Sequence, residues 1–218
     1  MQDWGGYILG FIFFFASHSI PTRPGVKSRF VDVLGARGFT LAYSALSTFA
    51  LAVLILSART APQIPLWHWA EWHNHLALTL MLVAMIIVAL ALGRPNPLSF
   101  GGSQNDRFDP KQPGLIGWLH HPLLAALFLW SLAHMIANGD LAHVIMFGCF
   151  ALFSFFGRKI INRRKIRQLG EEEWQRLAAT RREILPSMNG MIRVCLGVLL
   201  YGLILWAHEP VIGISPLP

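Results

Sequence analysis

Apolar residues along this chain gather into six long blocks, at about 4–20, 39–58, 74–93, 122–138, 141–157 and 191–208, separated by polar or breaker-rich segments. A helix rises 1.5 Å per residue, so each block is about long enough to cross the ~30 Å hydrocarbon layer of a bilayer with little tilt. The pattern predicts an all-α integral membrane bundle of six transmembrane helices, a single transmembrane domain over residues 1–218. The fourth and fifth blocks are short, and their helices are expected to extend at the ends.

Punctuation between the blocks sharpens this layout. The first block carries Phe11, Phe13, Phe14 and Phe15 ahead of His18 and is closed by Pro21 and Pro24, while Gly35 and Gly38 lead into the second. Pro62 and Pro65 occupy turn positions in the loop to Trp72, which places His68, His73 and His75 near a surface. The third block is almost purely Leu, Met, Ile, Val and Ala, suited to a scaffold or lipid-facing helix. Eight Pro and Gly residues between positions 94 and 121 exclude a long element there, and a loop of that length is long enough to cover a site. Asn138-Gly139-Asp140 reads as a tight hairpin, with Gly139 supplying a positive φ and Asp140 the next N-cap. Residues 158–190 read as an amphipathic cytoplasmic insertion, basic at first, then a helix opening after Gly170 with Glu171, Glu172 and Glu173 in its first turn.

Composition supports the membrane reading: 54% hydrophobic residues, 13% charged and a mean hydropathy of +0.49 exclude an ordinary soluble domain. A net charge of +7 raises nucleic acid as a partner, but the placement of the charges argues for lipid instead. Seventeen of the eighteen Lys and Arg fall in 21–38, 94–121 and 158–193, one side of the six-span layout, and only Arg59 falls opposite. By the positive-inside rule both termini then lie outside the cytoplasm. Basic segments beside spans meet anionic headgroups, and no nucleic-acid partner is expected. Trp67, Trp69 and Trp72, with Trp4 and Trp206, form an aromatic belt on the outer side and Trp118 one on the inner side. The first block has no basic run before it and no small-x-small site after it, so it reads as a span rather than a signal peptide. Cys149 and Cys195 form no CxxC or CxxCH and read as packing residues.

Candidate chemistry lies with the histidines. An ionisable side chain inside a span is costly, and His134 sits within the fourth block with Ser131 and Asn138 on the same side at ~100° per residue. His120 extends that stripe, and His121 falls at the cap before Pro122. Bland roles exist for each: His134 bonding a neighbouring helix, His18 snorkelling to the interface, His120 and His121 as an interfacial pair. His68, His73 and His75 read as solvated, with His73 and His75 a weak metal pair, and His143 and His208 as interfacial. The functional reading is axial ligation of haem b, since neutral imidazoles on inward helix faces supply both the ligand and an apolar slot.

His18-Ser19 after the aromatic first span, Leu34-Gly35-Ala36-Arg37-Gly38-Phe39, Tyr43-Ser44-Ala45-Leu46-Ser47, His121-Pro122, Leu132-Ala133-His134 and Asn138-Gly139-Asp140 together resemble the NnrU family of bacterial membrane proteins. The resemblance covers residues 10 to about 160, and Glu172-Glu173-Trp174 is similar to the family's C-terminal part. It implies a bacterial inner-membrane protein linked to nitrite and nitric oxide metabolism, related to the haem b enzyme 15-cis-zeta-carotene isomerase. His18 and His134 then match the proposed axial metal ligands and His121 a further motif histidine, with a haem pocket between spans one and four. The isomerase has a cysteine three residues before the second ligand; Ser131 stands here, so a thiolate switch does not carry over.

Depth along the bilayer normal opposes that pairing. At 1.5 Å per residue His18 lies about 9 Å to one side of its span's centre and His134 about 6 Å to the other, an offset of about 15 Å. By depth, His18 pairs better with His120 or His121, and His134 with His143. The expected function is an auxiliary haem protein of nitrogen-oxide respiration, sensing or electron transfer. The alternatives are a haem-dependent cis-trans isomerase of a polyene and a cofactor-free assembly factor. An apolar small molecule or respiratory membrane proteins are the expected partners besides lipid.

Overall fold

The computed structural model describes residues 4–182 and 187–218. Among them are seven α-helices: α1 (Trp4–Ser19), α2 (Pro24–Thr60), α3 (Glu71–Ala91), α4 (Pro122–Asn138), α5 (Leu141–Leu169), α6 (Glu171–Ala178) and α7 (Met188–Ile212). The β-structure is limited to one isolated antiparallel bridge, Pro65 to Asp140. The all-α class is as expected, and α4 has the expected limits.

Four helices, α2, α3, α5 and α7, are long and apolar enough to cross a membrane. The six-span layout counts α1 and α4 as well, but at 16 and 17 residues they are only about 24 and 26 Å long. Lipid contact is written on the surface of α7, where Leu199 and Trp206 are 69% and 76% exposed and Leu196, Val198 and Leu203 are also uncovered. A stripe of that kind in water would be a large aggregation-prone patch.

Three boundaries differ from expectation. The basic stretch expected as a loop before the second span is helical from Pro24 onward, because proline is tolerated at a first helical position and no Pro or Gly stands between Gly25 and Gly35. The break comes at Gly35, whose φ of 71° and ψ of 165° interrupt α2. At the start of α3 the helix begins at Glu71, so His73 and His75 are helical rather than loop residues; buried His73 accepts the Ala70 N–H at Nδ1, 3.2 Å. Finally, α5 runs past its apolar part to Leu169, taking the first third of the expected insertion into one helix. Arg, Lys and Gln are good helix formers, cations suit a helix C-terminus, and the helix stops where Gly170 takes a φ of 86°. Residues 183–186 of that insertion lie outside the described ones.

The chain divides into two compact units. In the first, α1 packs along α2. Gly10 meets the Ser57 side chain, where a Cβ would collide, and Ala50, Leu54, Ala58 and Ala61 are fully buried. The returning segment Asp140–Ala142 belongs to this unit, held by the Tyr7 hydroxyl on the Ala142 carbonyl (2.5 Å) and by Leu141 N–H on the Ile64 carbonyl (2.9 Å).

In the second unit α3 packs against both α4 and α7. Gly197 of α7 brings its backbone against Ile86 and Ala89 of α3, where a Cβ would lie 3.0 Å from the Ile86 Cα. Small residues at such crossings let membrane helices gain dispersion contact without a hydrophobic driving force. Tyr201 donates to the Leu78 carbonyl (3.1 Å), and Arg193 donates to the Ala89 and Leu92 carbonyls (both 2.9 Å), covering acceptors that the end of α3 leaves open. Replacing Gly197 with Leu should destabilise the protein by about 1–3 kcal/mol or more through overpacking. Thermal unfolding in detergent checks this, with Gly202→Leu, which meets nothing within 4 Å, as the silent control.

Candidate functional site

The functional candidates fall into two places within the second unit and one within the first. At one end of α4, His134 is flanked by Trp130 and Phe147, each with ring centroids 5.1 Å from the imidazole. Its Nδ1 donates to the Trp130 carbonyl one turn back at 2.8 Å. That bond fixes the tautomer and leaves Nε2 as the nitrogen with a lone pair. His208 of α7 lies 6.5 Å from His134 between ring centroids, and its own Nδ1 donates to the Ile214 carbonyl at 2.8 Å. His143 approaches the same cluster from α5, its ring 6.2 Å from Phe147.

Ser131 and Asn138 share the face of His134 as expected, but both spend their donors on their own helix: Ser131 on the Leu127 carbonyl (2.7 Å) and Asn138 on the His134 carbonyl (2.7 Å). Gly139 closes α4 at φ 67°, and the Trp67 indole donates to the Ile136 carbonyl at 3.0 Å beside it. A Cβ on Gly139 would press on that indole, so glycine is required there for both conformation and space.

In the first unit His18 repeats the arrangement of His134. Its Nδ1 donates to the Phe14 carbonyl at 2.8 Å, its ring lies 4.1 Å from Phe14, and Tyr43 donates its hydroxyl to the His18 carbonyl at 3.3 Å.

His120 and His121 lie at the opposite end of α4 and serve another purpose. Asn162 of α5 accepts from His121 Nε2 at 2.8 Å, which makes Nδ1 the acceptor of the Ser99 hydroxyl at 3.0 Å. With both nitrogens engaged, buried His121 ties the 94–121 loop to α5 and keeps no lone pair for a metal. His120 Nε2 is 3.4 Å from the Thr180 hydroxyl, and its carbonyl accepts from Asn96. Asn96 also takes the Leu98 N–H and gives its own N–H to Asn105, so one buried side chain organises the loop. The loop has two short 3-10 turns, Asn105–Arg107 and Gly114–Gly117, and packs Leu98, Ile116 and Phe108 against Trp174, Leu177 and Ala178 of α6.

Beneath this cap is a cavity of about 510 Å³, lined by His120, His121, Leu124, Phe155, Arg158 and Arg182 among others. It does not reach His134. Burial, then Arg182, holds the His120 imidazole below its ordinary pKa, and burial, then His120 and Arg158, does the same to His121 against the opposing Asn162 bond.

His208 was not legible as a neighbour of His134, because one sequence does not reveal helix order. Equal depth of the two residues near the same end of α4 and α7 was the available signal.

These features define a class: an all-α membrane protein whose apolar helices carry histidines with one ring nitrogen fixed by the helix backbone. The chain belongs to the NnrU family, whose model, described as NnrU protein, matches residues 7–216. Neither the curated proteins nor the solved structures give a match.

The folded His121 imidazole favours its neutral form, so stability should be complete above its unfolded pKa of about 6.5 and fall as pH drops below that value. The melting temperature in detergent should therefore decrease between about pH 7 and pH 5, and His121→Gln should lessen that decrease while lowering stability at pH 7.5 by about 1–3 kcal/mol through lost buried hydrogen bonds.

Proposed function

We propose that this protein binds haem b in the membrane, with His134 as an axial ligand, and acts as an auxiliary haem protein of nitrogen-oxide respiration, sensing or electron transfer in the bacterial inner membrane. The observation that carries the reading is the Nδ1 bond from His134 to the Trp130 carbonyl. Metal-ligating imidazoles usually donate their second nitrogen to a carbonyl or carboxylate in this way, which orients the ring and raises its basicity.

The donor set fits the group. Among the described residues no three His, Cys, Asp or Glu side chains are grouped to hold a bare ion, whereas haem needs at most two protein ligands and apolar walls. Trp130, Phe147 and Phe150 surround the His134 side. For the opposite axial position the family resemblance names His18, whose ring is fixed in the same manner. Geometry within the second unit favours His208 instead. His208 lies 6.5 Å from His134 between ring centroids and would be the second imidazole to hold the group there.

When bound, haem would supply one-electron exchange. The chain's own contribution is to orient the imidazole, exclude water with aromatic side chains and keep charge away from the span. Ser131 offers no thiolate, and its hydroxyl is already bonded to Leu127, so nothing in its surroundings favours the polyene isomerase reading.

The test is the visible spectrum of protein purified from haem-replete cells. A Soret band is expected in the wild type and should be lost in His134→Ala. Loss of the low-spin signature in His18→Ala identifies the partner given by resemblance, and the same loss in His208→Ala the one given by geometry. Colourless wild-type protein would leave the cofactor-free assembly role in its place. Deletion should impair nitrite or nitric oxide reduction with carotenoids unchanged.

A further inference from the structure

Separately from any haem, we propose that the cavity at the His120 and His121 end of α4 is a binding site for an anionic phosphate-bearing amphiphile, its phosphate on Arg158 and Arg182 and its chain along Leu124, Phe128 and Phe155. The cavity, about 510 Å³, has apolar and cationic lining and, among the described residues, no carboxylate. It lies where the apolar part of α5 ends, since Phe155 and Phe156 precede Arg158-Lys159, and exposed Trp118 of its lining marks the same boundary.

Charge complementarity names the headgroup. Arg158 stands over the Phe155 ring at 4.6 Å, a contact that positions the guanidinium while leaving its donors unspent. Among the described residues neither Arg158 nor Arg182 has a carboxylate partner, although Glu173 pairs with Arg176 on the neighbouring α6. Asn162 accepts from His121 through its oxygen and so retains its amide N–H donors for an acceptor in the cavity it lines. Two guanidinium groups and an amide, with no anion among them, suit the oxygens of a phosphate. The apolar floor accounts for a chain, which a free phosphate lacks.

The site also explains a sequence feature that haem leaves unused. The hydrogen bonds of His121 to Ser99 and Asn162, and of Arg181 N–H to the Pro110 carbonyl at 3.2 Å, join the elements that bear the two arginines. The 94–121 loop thus covers this site rather than one at His134.

The experiment uses the full chain in zwitterionic detergent micelles, with retention of short-chain phosphatidylglycerol measured by native mass spectrometry against phosphatidylcholine and inorganic phosphate. The wild type should retain phosphatidylglycerol in preference to phosphatidylcholine, and the Arg158→Gln, Arg182→Gln double variant should lose that preference about tenfold. A second double variant, Arg164→Gln with Arg167→Gln, removes the same charge outside the cavity and should keep it; both variants are first shown to match the wild type in helix content. Equal loss in the two variants would reduce the effect to net charge and overturn the site. Displacement of the lipid by millimolar inorganic phosphate would overturn the amphiphile in favour of a free anion.

Discussion

In a medium without water, each backbone polar group and each polar side chain must find its partner inside the protein, and this constraint governs the fold from the local scale upward. Its local signature is the bond from a side chain to the carbonyl three or four residues back. Ser17 and His18 make it to Phe14, Ser57 to Leu54, Ser131 to Leu127, His134 to Trp130 and Ser154 to Phe150. In these residues the helix satisfies its own polar side chains before it meets a neighbour. In His18 and His134 the backbone bond engages Nδ1, one of the two ring nitrogens.

The same constraint explains the contacts between elements. Helix ends leave carbonyls open, and the side chains that reach across the second unit go to them or to nearby backbone: Arg193 to Ala89 and Leu92, Tyr201 to Leu78, Trp67 to Ile136. Apolar packing then adds close approach at Gly197. At the basic end, where water returns, the chain instead builds a small soluble-type core of Leu98, Ile116 and Leu177 under a loop organised by Asn96.

Much of this was legible in sequence. The all-α membrane class followed from the apolar blocks, and α4 was bounded by Pro122 and by Asn138-Gly139 because each of those residues has one strong positional preference. Boundaries differ where charge was taken to end a span: residues 24–34, read as a loop, and 158–169, read as part of a separate insertion, are basic and continue α2 and α5, since Arg and Lys are good helix formers and the runs break at Gly35 and Gly170. His73 read as solvated, yet it is buried as an acceptor for the start of α3. The site was legible as single residues and not as pairs. His134 stood out because it interrupts an apolar block, whereas the nearness of His208 depends on α3 gathering α4 and α7 around itself, which no local pattern encodes. His121, singled out as a motif histidine, joins loop and helix through both nitrogens.

Arg193 ties α7 to the end of α3. Its guanidinium is bound to the last carbonyls of α3, and Asn189 in turn bonds both Arg193 (3.1 Å) and Arg94 (3.0 Å), so the polar ends of the two helices are pinned together at one interface. Charge holds that end at headgroup level. A thicker or thinner bilayer therefore cannot be met by sliding one helix past the other, and the adjustment falls to the far end, where Trp69, Trp72 and Trp206 have exposed rings able to settle at different heights. His208 sits two residues beyond Trp206, so the imidazole 6.5 Å from His134 lies at the end of α7 away from the polar tie to α3.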